Sequence, residues 1–198
     1  MDSKICCNFS LFQCLTLPIK TSITNETMTQ TLSQRDIDII SSQLGRTPSG
    51  INKIAHYSPN GTPQVLEMET WVFNQPFPTL YWLSSKAIDK ALAKIESQGV
   101  VKQLEQRIQE DEELREAYHA SHRDYIARRW EVMSDEHKQI IEEKGFKPLF
   151  EKLGIGGIAN WDQVRCLHMQ YAHHLAGNNV IGKILDEEFQ IRGVADAE

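Results

Sequence analysis

Pro59-Asn60-Gly61 constrains the fold of this chain more than any other feature. An Asn-Gly pair supplies the positive backbone angles of a tight hairpin, and here it separates two strand-like runs, GINKIAHYS and TPQVLEMETWVF. In the second run Val65, Glu67 and Glu69 alternate with Leu66, Met68 and Thr70, a period of two that predicts one wetter face. The proline-bounded aromatic run PFPTLYWLS comes next, and its Leu80 to Leu83 suits a strand covered on both faces. A small sheet of three antiparallel strands is expected.

Around that sheet the chain reads as helix. SQRDIDIISSQLG opens on Ser33 with Asp36 three residues later, a variant of the capping box, and closes at Gly45. SSKAIDKALAKIESQG sets Ile88, Ala91, Leu92 and Ile95 on one face, and Val100, Val101, Leu104 and Ile108 begin a second apolar stripe. DEELREAYHASHRDYIARRWEVM carries acids in its first turn and arginines toward its end, as the helix dipole favours, with Leu114, Tyr118, His122, Tyr125 and Arg129 sharing a face. The fold class is α+β: a three-stranded sheet, six or seven helices and an all-helical C-terminal half, in one domain over residues 33–190.

Composition narrows the function. The 198 residues are 40% hydrophobic and 24% charged, enough to bury about 70% of the unfolded surface. A net charge of −6 with no basic stripe argues against nucleic-acid partners. No run reaches the roughly 18 apolar residues of a membrane helix, so no membrane role and a cytoplasmic location are expected. Residues 1–30 differ from the rest: they hold Cys6, Cys7 and Cys14, few charges and no periodicity. They read as a disordered or spurious extension, with translation starting at Met28.

Several separated motifs bring a family into view. QLGR at Gln43 to Arg46 with Pro48 and Gly50, Ala55-His56, Gly61 with Pro63, PFPTLY at Pro76 to Tyr81, the Tyr118, His122, Tyr125 spacing, and VRCLH at Val164 to His168 followed by His173 occur in order. Together they resemble the bacterial family known as domain of unknown function 501, over roughly Gln34 to Asp186. The resemblance implies no activity, cofactor or partner. It does imply that relatives carry cysteines in the hairpin turn and after the aromatic strand, where this chain has Ser58, Asn60 and Ser85. A metal held by such cysteines would lack ligands here.

The chemistry-bearing residues concentrate between Gly154 and Asn179, which hold a glycine loop, Arg165, Cys166 and three of the seven histidines. Asn160, with Gln163 three positions later, predicts a helix from Trp161 to Ala176 that stops at Gly177. On that helix Val164, Leu167, Tyr171 and Leu175 form the apolar face, with His168 at its border. Cys166 and His168 then point nearly opposite ways, while Cys166 and His173 stand about 10.5 Å apart along the axis, so neither pair shares a metal directly.

Two functional patterns survive that geometry. Cys166 reads either as a buried apolar filler or as a reactive thiol activated by a base from another element, His122 or His56. The loop Gly154-Ile155-Gly156-Gly157 reads either as a connector or as an anion site that leads into a helix N-terminus, with Arg46 and Arg165 supplying charge. Gly154, Gly156 and Ala159 fit G-x-G-x-x-A, but helix rather than strand precedes them, contrary to the dinucleotide fingerprint.

His122 among its tyrosines reads as a general base or as a hydrogen-bonded structural residue, while His119 and His137 are expected to face solvent. The acidic runs read as solvated helix faces. Three functions follow. The first is a small-molecule- or anion-binding protein or enzyme whose pocket gathers Arg46, His56, His122, Cys166 and His173. The second is a non-catalytic interaction protein in which those side chains scatter. The third is a mononuclear metal protein using Cys166 or His168 with ligands from other elements.

Overall fold

The computed structural model describes residues 32–46 and 49–198. The readings of Met28 and of the three N-terminal cysteines fall outside that range. Helix α1 (Gln34–Leu44) starts where the Ser33 hydroxyl accepts the Asp36 N–H at 3.1 Å and ends at Gly45. Strands β1 (Ile51–Tyr57) and β2 (Pro63–Met68) form the expected antiparallel hairpin, closed by Gly61 at φ 77°. A second hairpin of β3 (Trp71–Val72) and β4 (Gln75–Pro76) follows, before β5 (Tyr81–Leu83) pairs antiparallel with β2. The sheet order is β1-β2-β5.

The strand β2 departs from the expected alternation, because all six of its residues are buried. It is the central strand with cover on both faces, so its polar positions are enclosed as well. Glu67, read as wet, is 1% exposed; its carboxylate accepts the Asn52 amide at 2.9 Å, with Lys53 at 3.6 Å and Arg128 at 3.9 Å. The two faces carry separate cores. Leu66, Met68, Ile54 and Trp82 pack under α1 with Ile40, whereas Val65, Tyr81 and Leu83 face the helices.

Those helices are α2 (Lys86–Glu96), α3 (Val100–Glu110), α4 (Glu112–Val132), α5 (Asp135–Glu143), α6 (Lys147–Lys152), α7 (Leu167–Ala176), α8 (Val180–Phe189) and α9 (Ile191–Ala197), with a single 3₁₀ turn at Ile155–Gly157. Nine helices among the described residues exceed the six or seven expected, partly because Gln190 at φ 57° breaks the final segment into α8 and α9. The α+β class and the helical C-terminal half are as read from the sequence. No described helix is long and apolar enough to cross a membrane.

One buried cation fixes the floor of this layer. Arg129 is fully buried and meets no carboxylate among the described residues; its guanidinium donates to the carbonyls of Pro78 at 2.8 Å, Leu153 at 2.7 Å and Phe150. Burial pushes it down to about 10. It ties the aromatic loop before β5 to the end of α6, and so sets the start of the glycine loop.

Candidate metal centre at the start of α7

The helix expected from Trp161 begins six residues later. Asn160 caps only a turn, accepting the Asp162 N–H on its side chain at 3.2 Å and the Gln163 N–H on its carbonyl at 3.1 Å. Arg165 then takes φ 62°, which no α-helix admits, and Cys166 is extended at φ −143°, ψ 129° as the N-cap of α7. The opposed directions expected for Cys166 and His168 assumed a regular helix through both. With the helix starting between them, the two side chains meet.

Cys166 Sγ lies 3.4 Å from His168 Nδ1. Glu96, from the last turn of α2, brings Oε1 to 3.2 Å from the same nitrogen and accepts the Leu167 N–H at 2.5 Å. The glutamate is thus seated on the first amide of α7, where the helix dipole favours negative charge. The other imidazole nitrogen, Nε2, is 3.2 Å from both the carbonyl and a carboxylate oxygen of Asp89. Both ring nitrogens face acceptors. Cys166 first, then Glu96 and the Asp89 carbonyl, push His168 up to about 9 against the opposing effect of burial.

Donor atoms of Glu96, Cys166 and His168 all lie within 4.8 Å of one another. Zinc bonds of about 2.0–2.3 Å at tetrahedral angles set ligand atoms about 3.3–3.6 Å apart, so the 3.4 Å and 3.2 Å separations need little adjustment. Among the described residues this is the one group of three such donors. His168 and Cys166 are half-buried, which leaves an approach from solvent. Neither Glu96 nor Asp89 stands out in the sequence, since each looks like an ordinary acid on the polar face of α2.

The other candidates go elsewhere. His122 is fully buried, stacked on Trp161 at 5.1 Å and edge-on to Tyr118 at 4.6 Å, and its Nδ1 accepts the Ile155 N–H at 3.0 Å. Burial, helped by His119 and His173, lowers it to about 3, so the ring is neutral. His173 is 1% exposed and stacks on Tyr81; Nδ1 meets the Asn179 amide at 3.3 Å and Nε2 meets Asp124 at 3.2 Å. His56 is half-buried on β1, where burial, Arg192 and His174 lower it while Asp196 opposes them.

Arg46 lies over the Trp82 ring at 5.4 Å, and Trp82 belongs to the α1 face of the sheet, opposite the helices. Neither His56 nor His122 is the partner of Cys166; that place is taken by His168.

In the glycine loop the N–H groups of Gly154, Ile155 and Gly157 are spent on Ile158, His122 and Gly154, and the loop leads to a turn rather than to α7. Gly156 sits at φ 56° against Met169, and Arg165 is exposed. The solvent-facing expectation for two histidines is corrected. His119 bonds Asp162 at 2.8 Å and His137 bonds Thr70 at 3.1 Å, both half-buried because acids and hydroxyls from neighbouring elements reach them.

Asn60 and Ser85 meet at Glu198, the amide on its main-chain oxygen at 3.4 Å and the hydroxyl on its carboxylate, while Ser58 accepts the Thr62 N–H in the same turn. Oxygen and amide groups therefore occupy the positions discussed above for cysteines. This polar knot joins the hairpin to the start of α2, apart from the Glu96, Cys166 and His168 group.

Residues 54–187 match the model of the family described as Protein of unknown function (DUF501). The chain belongs to that family. The match spans β1 to α8 and therefore includes Glu96, Cys166 and His168. No curated protein and no solved structure matches the chain.

Proposed function

We propose that this protein binds one divalent transition metal, zinc by its donor set, through Glu96, Cys166 and His168, and presents the open fourth position to water or a small molecule. The observation that carries the reading is the convergence of thiol, imidazole and carboxylate donors from α2 and α7 within 4.8 Å. The outer contacts support it. A metal-bound histidine typically gives its second N–H to a carboxylate or carbonyl, and Asp89 offers both at 3.2 Å, while Leu167 fixes Glu96. Thiolate and imidazole donors favour zinc over magnesium or calcium. Three protein ligands and an open position are the arrangement in which zinc acts as a Lewis acid.

The small molecule meant here is therefore a metal ligand rather than an occupant of a pocket shared by all five of the earlier candidates.

A second reading has its own observation. His168 bridges Cys166 on one nitrogen and Asp89 on the other, the order thiol, imidazole, carboxylate of an activated nucleophile. Elemental analysis of untagged protein purified without chelator, beside Cys166→Ala, separates the two. Near-stoichiometric zinc that is lost in the variant is the expected result. Metal-free wild type whose Cys166 is alkylated rapidly by iodoacetamide at neutral pH overturns the metal reading in favour of the nucleophile.

A further inference from the structure

We infer that Glu105 and a strained turn at Arg165 form the device that positions Cys166 for metal binding, an inference that rests on the metal reading above. The Cys166 N–H donates to the Val164 carbonyl at 2.8 Å, which closes a three-residue turn around Arg165 at φ 62°. A γ-turn with positive φ is a rare and strained form, and a residue with a Cβ disfavours it. The Arg165 side chain is exposed, so its own packing does not offset that strain. Strain of this kind persists only where the surroundings enforce it.

The enforcement comes from α3. Glu105 Oε1 accepts the Val164 N–H at 2.9 Å and reaches the Arg165 N–H at 3.4 Å, clamping two successive amides. Val164 is itself fixed: its side chain is fully buried, and its carbonyl also accepts the Gln170 amide at 3.1 Å. With the near side of the turn held, the chain leaves Arg165 extended, and Cys166 arrives as N-cap with its sulfur beside His168. A helix running through Arg165 would instead turn Cys166 and His168 about 200° apart. Glu105 is a positioning residue. It holds the backbone that aims a ligand and is not itself among the three donors.

The test is a cobalt(II) titration of the full chain, followed by the thiolate-to-cobalt charge-transfer band, with thermal melting in parallel. Glu105→Ala is expected to weaken cobalt binding about 10–100-fold, the usual effect of losing an outer contact at a metal site. Glu105→Gln, whose amide oxygen still accepts, retains most of the affinity. Arg165→Gly added to Glu105→Ala restores binding, because glycine adopts the turn without help. A folded Glu105→Ala protein with wild-type cobalt affinity and an unchanged band overturns the inference.

Should Glu105→Ala not fold, Arg165→Val and Arg165→Gly decide the matter with Glu105 in place. The β-branched residue is expected to weaken binding and glycine to preserve it, and equal affinities refute the device. Wild-type protein that binds no cobalt overturns the metal reading and this inference with it, a result distinct from tight wild-type binding that Glu105→Ala leaves untouched.

Discussion

His122 and His168 sit on neighbouring helices, and the two imidazoles have opposite chemistry. His122 is enclosed by Tyr118, Trp161 and the glycine loop, meets a backbone N–H, and is held down to about 3. His168 stands at the edge of the fold between Cys166, Glu96 and Asp89, and is pushed up to about 9. An aromatic enclosure without a carboxylate makes an imidazole a neutral strut, and a half-open edge lined with acids and a thiol makes it a cation or a metal ligand. The histidine in the more imposing aromatic setting is therefore the poorer candidate for chemistry.

The largest effect that sharpens this contrast is on stability. His122→Ala empties a fully buried site and leaves the Ile155 N–H unpaired, and is expected to cost roughly 2–4 kcal/mol in urea unfolding. His168→Ala in metal-free protein is expected to cost less, about 1–2 kcal/mol, since it removes contacts to Glu96 and Asp89 that solvent partly screens. Equal costs at the two positions would break the comparison.

Gly154 tests the same enclosure from the other side. A Cβ there would lie 1.9 Å from His122 Nδ1, so Gly154→Ala forces the ring or the 3₁₀ turn to move and is expected to cost about 1–3 kcal/mol. In a His122→Ala background the added methyl has room, and the two changes should couple in a double-mutant cycle. Additive costs would mean that the close approach is relieved elsewhere.

The protonation of His122 gives an effect that grows with acidity. Its folded value near 3 lies below the unfolded 6.5, so between those limits the unfolded chain binds a proton that the folded ring refuses. The stabilisation is fully present above pH 6.5 and is lost as pH falls toward 3, by up to about 1.4 kcal/mol per pH unit. His173, also lowered by burial, adds in the same direction. Urea midpoints at pH 6.5 and pH 5 should differ less in His122→Phe than in wild type, because one of the three protons refused by His56, His122 and His173 is gone. An identical difference would show that His122 does not carry the acid sensitivity.

The fold was readable because its signals are local. Pro59-Asn60-Gly61, the Ser33 cap and the 3.6-residue stripes act within a few residues of themselves, and the sheet and helices follow them. The burial of Glu67 was not readable, because it comes from β2 being central, a property of the assembled sheet. The corner at α7 was half readable. Cys166 and His168 stood out by type, but their meeting depends on Arg165 at positive φ, and nothing in the residues Val164 to Cys166 announces that turn. Glu96, Glu105 and Asp89 act across 59 to 79 positions of sequence, which periodicity cannot register.

Arg46 offers the smallest effect and the cleanest control. As a charge supplier for an anion at the glycine loop it would share a site with Arg165, yet its guanidinium lies 5.4 Å over the Trp82 ring on the α1 side of the sheet. The β1-β2-β5 layer stands between that face and the helices bearing His122 and Cys166. Arg46→Ala should cost about 0.5–1 kcal/mol through the lost cation–π contact and leave cobalt affinity and the His122-dependent acid sensitivity unchanged. Isothermal cobalt titration beside urea unfolding reads both quantities on one preparation. A change in cobalt affinity would mean that the sheet transmits between its faces, and the contrast between a closed interior and an independent open edge would have to give way to one coupled unit.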